Sequence, residues 1–339
     1  MKLHILENRK TGGYVTFGSV WNEGEVTGRE FVLLNEEGKQ IPVQSSISAW
    51  WPDGSVKWAA HTADTLQMGQ EVSVLPREGE IVVQDGIQIQ QEKKGWRIDT
   101  GVLSLLVPEA GSPFLALDIK RQGKTLVSSV YPVMMLEQRE DKGKRKVLQE
   151  IKMTGSVKEV SLEETGPLQC VIRFSGIHRE EDGAEAIPFI IRMYLFHGKE
   201  EIRFVHTFFY DGKEDRDYLK AMGIRFEAQL KGGPYNRHIQ LGTDRNLFHE
   251  AAVMMVSSHP RTPQEMEEKQ MDGELLRFEE GSQWNRLADD LPLWDHFSIC
   301  QDSPSHFVIQ KQTEACCCHL DSMHGYRAPG TMAVTGEQG

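Results

Sequence analysis

Residues 47–64 read ISAWWPDGSVKWAAHTAD, with apolar residues alternating on either side of Pro52-Asp53-Gly54. Proline presets φ and glycine accepts positive φ, so Pro-Asp-Gly is a turn signal. Ile47, Ala49 and Trp51 share one face before the turn, and Val56, Trp58 and Ala60 share one after it. A period of two is that of half-buried strands, so the segment reads as a β-hairpin. Aromatic rings bury the most area, so the tryptophans read as core and Trp58 is expected to be mostly buried.

Outward from the hairpin, short apolar stretches at 14–20, 31–34, 41–43 and 71–75 are separated by acidic, glycine-containing turns at 22–25 and 35–38. No apolar stripe of helical period persists. The N-terminal part therefore reads as a small all-β unit, a barrel, since closure removes exposed strand edges. Residues 84–95, QDGIQIQQEKKG, are polar enough for a crossing linker or an edge strand, which divides the chain into domains 1–90 and 91–339.

Longer strands follow at 96–107, 115–121, 157–162, 168–177, 187–196 and 202–208, with a solvated charge run at 141–146. The last two strands alternate, with Arg192, Tyr194, Phe196, Arg203, Val205 and Phe209 on the second face, so both faces are partly covered and the pair fits the middle of a large antiparallel β-sandwich. His206 then reads as a satisfied core histidine rather than a base. Residues 211–220 read as a charged loop, 263–272 as the one helical turn, and 224–230, 237–243, 253–256, 275–278, 297–299, 306–310 and 315–320 as further strands.

A chain of 339 residues suits about two domains. Its net charge of −12 argues against a nucleic-acid partner, because phosphate binding needs a basic surface. No apolar run approaches the ~20 residues that span a bilayer, and the first residues carry no signal-peptide core, so a cytoplasmic protein without membrane partners is expected. The five cysteines, Cys170, Cys300 and the run Cys316–Cys318, are odd in number and partly adjacent, which speaks against a disulfide framework or a zinc site. Free thiols are expected. Asp211, Asp215 and Asp217 do not have EF-hand spacing; no cofactor is expected, though a divalent cation such as Ca2+ is left open.

VTFGSVWNEGEV (15–26), LLNEEGKQIPVQ (33–44) and AWWPDGSVKWAAH (49–61) resemble the N-terminal barrel of the exo-rhamnogalacturonan lyase family, polysaccharide lyase family 26. DTGVLSLLVPEAG (99–111), IRFVHTFFYDG (202–212) and DYLKAMGIRF (217–226) resemble its central sandwich. SHPR (258–261), LPLWDHF (291–297), QDSPSHFVIQKQT (301–313) and DSMHGYRAPG (321–330) resemble the end of that sandwich. The resemblance implies an all-β fold: a RIFT-type barrel followed by a galactose-mutarotase-like β-sandwich. It also implies a C-terminal α/α barrel, which has no counterpart in these 339 residues and would be a lost continuation or a separate chain.

A uronide lyase abstracts the proton α to a carboxylate, which requires cations to offset the carboxylate charge, a base, and an acid for the leaving oxygen. Late loops carry suitable types: His259 and Arg261, Asp295 and His296, His324, Tyr326 and Arg327, with Trp284 nearby. They are expected to line a cleft for an acidic oligosaccharide or polysaccharide, with the catalytic base unassigned. Two other functions fit the composition: a noncatalytic carbohydrate-binding module and an adhesion-like structural β-protein. Two or more of Trp21, Trp50, Trp51, Trp58, Trp284 and Trp294 lying coplanar and exposed would favour the first of these, and all of them buried the second.

Overall fold

The computed structural model describes residues 1–6, 13–77, 85–141 and 145–228, and beyond them the backbone of six strands between 238 and 335. Met1–Ala228 form one compact unit and Gln229–Gly339 a second.

The first unit begins with β1 (Lys2–His4), β2 (Tyr14–Val20), β3 (Glu30–Asn35), β4 (Gln40–Ile41), β5 (Gln44–Trp50), β6 (Val56–Asp64) and β7 (Glu71–Arg77). They pair antiparallel in two sheets, β1-β7-β3-β4 and β2-β6-β5, around a core that includes Trp21, Phe31, Leu33, Ile41, Met68 and Val74. The helical content of the described residues is one 3₁₀ turn, Thr65–Gln67, whose Leu66 N–H is capped by Asp64.

The hairpin forms as expected between β5 and β6. Gly54 takes φ 85° and its N–H donates to Trp51 O at 3.0 Å, while Trp51 N–H donates to Ser55 O at 2.8 Å. The Asp53 carboxylate accepts the Ser55 N–H and hydroxyl. Trp58, however, is not buried: it is 53% exposed, and Trp50 is 42% exposed. The cause is a pair of register shifts. Trp50 pairs Val56 but Ala49 pairs Trp58, so Lys57 is an extra residue in β6, and the pleat changes phase there. Beyond that point Ala59, His61 and Ala63 face the core, and Trp58 points out.

Ten strands follow in a single antiparallel sheet: β8 (Gln88–Glu92), β9 (Gly95–Asp99), β10 (Leu103–Pro108), β11 (Ala116–Arg121), β12 (Lys124–Asp141), β13 (Arg145–Thr165), β14 (Gln169–Arg179), β15 (Glu185–Phe196), β16 (Ile202–Phe208) and β17 (Asp217–Glu227). The order is β16 to β8 in sequence, with β17 laid against β12. The polar stretch at 84–95 contains the edge strand β8. The expected single strand at 96–107 is two, split where Gly101 takes φ 85° and Thr100 accepts the Leu103 N–H.

The strand pair at 187–208 is present as β15 and β16, but β16 is the last strand in the order rather than a central one. The reason lies in strand length. β12 has 18 residues against 6 in β11, so part of its edge is left open, and the chain leaves β16 to fill it with β17. For the same reason the region read as a loop at 211–220 is already strand from Asp217. Side chains on one face of the sheet build a core with Ile98, Leu105, Phe174, Phe189, Ile191 and Leu195. A neighbouring cluster, Met134, Leu136, Ile151, Met153 and Ile187, lies under β12 and β13.

The second unit contains β18 (His238–Gly242), β19 (Leu247–Ala251), β20 (His296–Ser303), β21 (His306–Gln312), β22 (Cys317–Asp321) and β23 (Met332–Thr335), paired antiparallel as β19-β18-β23 and β20-β21-β22. The expected strands at 253–256 and 275–278 and the helical turn at 263–272 lie outside the described residues. Cys170 is a buried free thiol, its pKa pushed up to about 12 by burial and then by Glu164.

Candidate functional site

Of the residues singled out in the sequence, His296 opens β20 opposite Gln312. His259, Arg261, Trp284, Asp295, His324, Tyr326 and Arg327 lie outside the described residues. The acidic loop residues have structural partners. Asp211 accepts the Ile187 N–H at 2.8 Å, and Asp217 accepts from Gln138 and from the Lys213 N–H. Among the described residues no group of three His, Cys, Asp or Glu side chains is placed to hold a metal ion.

His206 is not the satisfied core histidine expected. Its Nε2 is buried without a hydrogen-bond partner, as is that of His178, whose ring centroid lies 5.9 Å away. His178 places Nδ1 2.7 Å from Ile187 O, and the Phe189 ring lies against both imidazoles. Burial, and then His178, holds the His206 pKa at about 4. Both rings are neutral near pH 7 and are not poised as bases.

A different set of residues forms a concave site on the face of the sheet opposite the core. Strand alternation puts Ile151 and Met153 inward and Lys152 and Thr154 outward on β13, and does the same for Met134 and Met135 on β12. Register then assembles three successive cross-strand rows. Lys152, Met135 and Ala221 form one; Arg179, Thr154, Val133 and Gly223 the next; Tyr131 and Arg225 the third. Together they line a groove of about 630 Å³, within the usual range for small-ligand sites. Each row contributes one cation. Tyr131, Val133 and Met135 supply a partly buried floor. At Gly223 a Cβ would meet nothing within 4 Å, so the floor is open there.

The electrostatics of this groove differ from those of the surface around it. On the outer face of β14 and β15, Arg173 and Arg192 are held by Glu163, Arg192 through two bonds of 2.6 and 2.9 Å. Lys158 is paired with Glu185, and Lys220 with Glu150. Lys152 has no ion-pair partner among the described residues. Arg179 has no carboxylate within ion-pair distance there, but Glu185 is its cross-strand neighbour and is acted on by its charge. Arg225 lies 3.5 Å from Glu227, which also accepts the Tyr131 hydroxyl at 2.8 Å. Burial, and then that hydrogen bond, raises the Tyr131 pKa, so the phenol keeps its proton at neutral pH. The groove can offset anionic charge, but it presents no histidine to take a proton. A smaller cavity of about 440 Å³ beside Lys120 and Arg121 is different again, because Arg121 is paired with Glu200 at 2.9 Å.

None of the groove residues was named as a candidate site residue in the sequence, although Ala221, Gly223 and Arg225 lie within DYLKAMGIRF (217–226). The strand at 145–165 was legible only from 157 onward, so the outward phase of Lys152 and Thr154 was missed. The neighbouring apolar alternation of Ile151 and Met153 is the signal that could have shown it.

Comparison with known proteins gives the same architecture. Residues 1–77 match the family model for the PcRGLX-like N-terminal RIFT barrel domain, and residues 87–339 match that for the PcRGLX-like protein central beta sandwich domain. A Bacillus subtilis (strain 168) protein described as uncharacterized protein YetA is 31% identical over 331 residues, covering 96% of this chain. The match spans 38% of that relative's length. With a RIFT barrel followed by a central β-sandwich, both matched in order, the chain belongs to the PcRGLX-like family.

Proposed function

We propose that this chain is the non-helical part of a polysaccharide lyase-like protein that cleaves rhamnogalacturonan- or pectin-type uronides by β-elimination. The observation that carries the reading is the ordered match to both family domains over nearly the whole chain. In this reading residues 1–90 are the barrel and 91–339 the sandwich, in the cytoplasm. His259, Arg261, Trp284, Asp295, His296, His324, Tyr326 and Arg327 form one wall of a cleft for an acidic oligosaccharide or polysaccharide. An α/α-barrel domain, in the same chain or a separate one, supplies the opposite wall. One wall alone is silent, because orienting substrate and catalytic groups contributes up to ~7–11 kcal/mol of the barrier.

The test is ultraviolet absorbance of the unsaturated uronate product. Residues 1–339 alone are expected to give none. Supplying an α/α-barrel domain, fused in frame or in trans, is expected to restore turnover that His324→Ala or Arg327→Ala lowers. Turnover by residues 1–339 alone would show that the division of labour is wrong. A second reading, a noncatalytic carbohydrate-binding protein, is favoured by the exposure of Trp50 and Trp58 on the hairpin. It predicts glycan binding with no turnover in any combination.

A further inference from the structure

We propose that the outer face of β12, β13, β14 and β17 is a binding subsite for an acidic oligosaccharide, with Lys152 and Arg179 taking its carboxylates and Tyr131, Val133 and Met135 carrying its rings. This names a site for the ligand class of the preceding reading and rests on that reading for the choice of glycan.

Three observations converge on it. The first is charge. The protein carries −12 overall, yet three cations stand in three successive rows of one groove, with Glu181 as the acidic side chain among the lining residues. Among the described residues Lys152 is unpaired, and Arg179 meets Glu185 only as a cross-strand neighbour beyond ion-pair distance, whereas cations elsewhere on the same face of the sheet are clamped by carboxylates. Locally placed cations of this kind override the general field and draw in an anion. Lys152 also need not break a protein ion pair to bind one.

The second is shape. From Arg179 on β14 to Gly223 on β17 the row crosses three strand spacings, about 14 Å, the length of a few pyranose rings. Pyranose rings have apolar faces and anionic edges, and the groove has an apolar floor with cations beside it. The Tyr131 ring is held in place by its bond to Glu227 and by edge contact with Phe114 at 5.8 Å, so the floor is preorganised.

The third is topology, which disfavours other anions. β12, β13 and β14 are each hydrogen-bonded on both sides along this stretch, so the middle of the groove offers no strand edge to a peptide; among the described residues β17 is paired on its β12 side. A nucleic acid would need a wider basic surface than a chain of this charge presents.

The experiment is calorimetric titration of residues 1–339 with a short oligogalacturonate, and with the same oligosaccharide after its carboxyls are reduced to neutral alcohols. Saturable binding of the acidic form only, weakening with salt, is expected. Arg179→Gln and Lys152→Gln, both exposed side chains, should each weaken it about tenfold, the worth of a charge-assisted hydrogen bond. Gly223→Leu should abolish it by filling the floor, with Gly223→Ala as the smaller substitution if leucine is not accommodated. Arg173→Gln, outside the groove, should leave it unchanged. Equal binding of the neutral form, no saturable binding, or binding indifferent to Arg179→Gln and the Gly223 variants would overturn the assignment. So would equal binding of inorganic polyphosphate, which would mark a general anion patch. If the completed protein turns over substrate but ignores Gly223→Leu, the subsite fails and the lyase reading stands. If the groove binds uronate while the completed protein is inactive, the reverse holds.

Discussion

His61 shows at the scale of one residue how this fold handles a polar group in its core. The ring is fully buried, with Ser19 Oγ 2.7 Å from Nε2 and Ser45 Oγ 2.8 Å from Nδ1. The Trp21 indole N–H donates to the same Ser19 oxygen at 2.7 Å. Both nitrogens are satisfied, so the neutral ring is tolerated, but burial holds its pKa at about 4 against 6.5 in the open. The folded value lies below the unfolded one, so as pH falls the unfolded chain takes the proton first. The associated stability is complete above about pH 6.5 and is lost as pH falls toward 4, up to about 3 kcal/mol for this site. His206 titrates in the same window. Urea melts at pH 7.5, 6 and 5 should show stability falling stepwise, and His61→Gln should flatten part of that slope. Equal stability at pH 7.5 and 5 would mean that the ring is not shielded. A contrasting pair tests the hairpin: Trp58→Ala should change stability by less than about 0.5 kcal/mol, whereas Phe31→Ala in the same core should cost about 3–5 kcal/mol.

At the scale of the element, the informative irregularity is the bulge in β15. Ile177 pairs Pro188 but His178 pairs Ala186, leaving Ile187 as the extra residue. Ile187 takes φ 50°, a left-handed conformation that is unfavourable for a β-branched side chain and costs about 1–3 kcal/mol. It persists because both of its backbone groups are held: the N–H by Asp211, and the carbonyl by His178 Nδ1. The side chain is fully buried under β12 and β13. Asp211→Ala leaves a buried N–H without its acceptor and should cost about 1–3 kcal/mol, read by denaturant melts. Asp211→Asn keeps an oxygen at that position and should cost less than half as much. Equal losses in the two variants would assign the effect to charge rather than to the bulge.

At the scale of the whole first unit, Gln44 links the barrel to the sandwich sheet through a cluster of hydrogen bonds. Gln44 Oε1 accepts the N–H groups of Leu168 and Gln169 at 3.0 and 2.8 Å, and its Nε2 donates to Gln169 O. A Cβ on Gly166 would lie 2.1 Å from this side chain, so the approach depends on glycine. Tyr14 stacks on Phe196 at 5.4 Å, and Lys199 pairs with Asp64 at 3.0 Å. Four of the seven tryptophans, Trp21, Trp50, Trp51 and Trp58, are in the barrel, so fluorescence is weighted toward it while circular dichroism follows the sheets. The two midpoints should coincide in the parent protein and separate in Gln44→Ala, with the barrel melting first. Coincident midpoints in the variant would place the coupling elsewhere.

Local chemistry was enough to read several features from the sequence. Pro52-Asp53-Gly54 sets a turn through φ preferences that need no distant partner, and alternation over 14–20, 71–75 and 187–208 marks strands because the pleat has period two. The all-β class and the barrel-then-sandwich order followed from these, together with the resemblance of the quoted motifs. What sequence could not supply was phase and partnership. One extra residue at Lys57 turned Trp58 outward, and no local signal marks a bulge. The open edge of β12 drew in β17, because a long strand paired to a short one leaves hydrogen-bonding groups for whatever segment can reach them. That pairing brought Arg225 and Gly223 beside Tyr131 and Val133, residues about ninety positions apart in the chain. The groove exists only through that register, so no single stretch of sequence could have announced it.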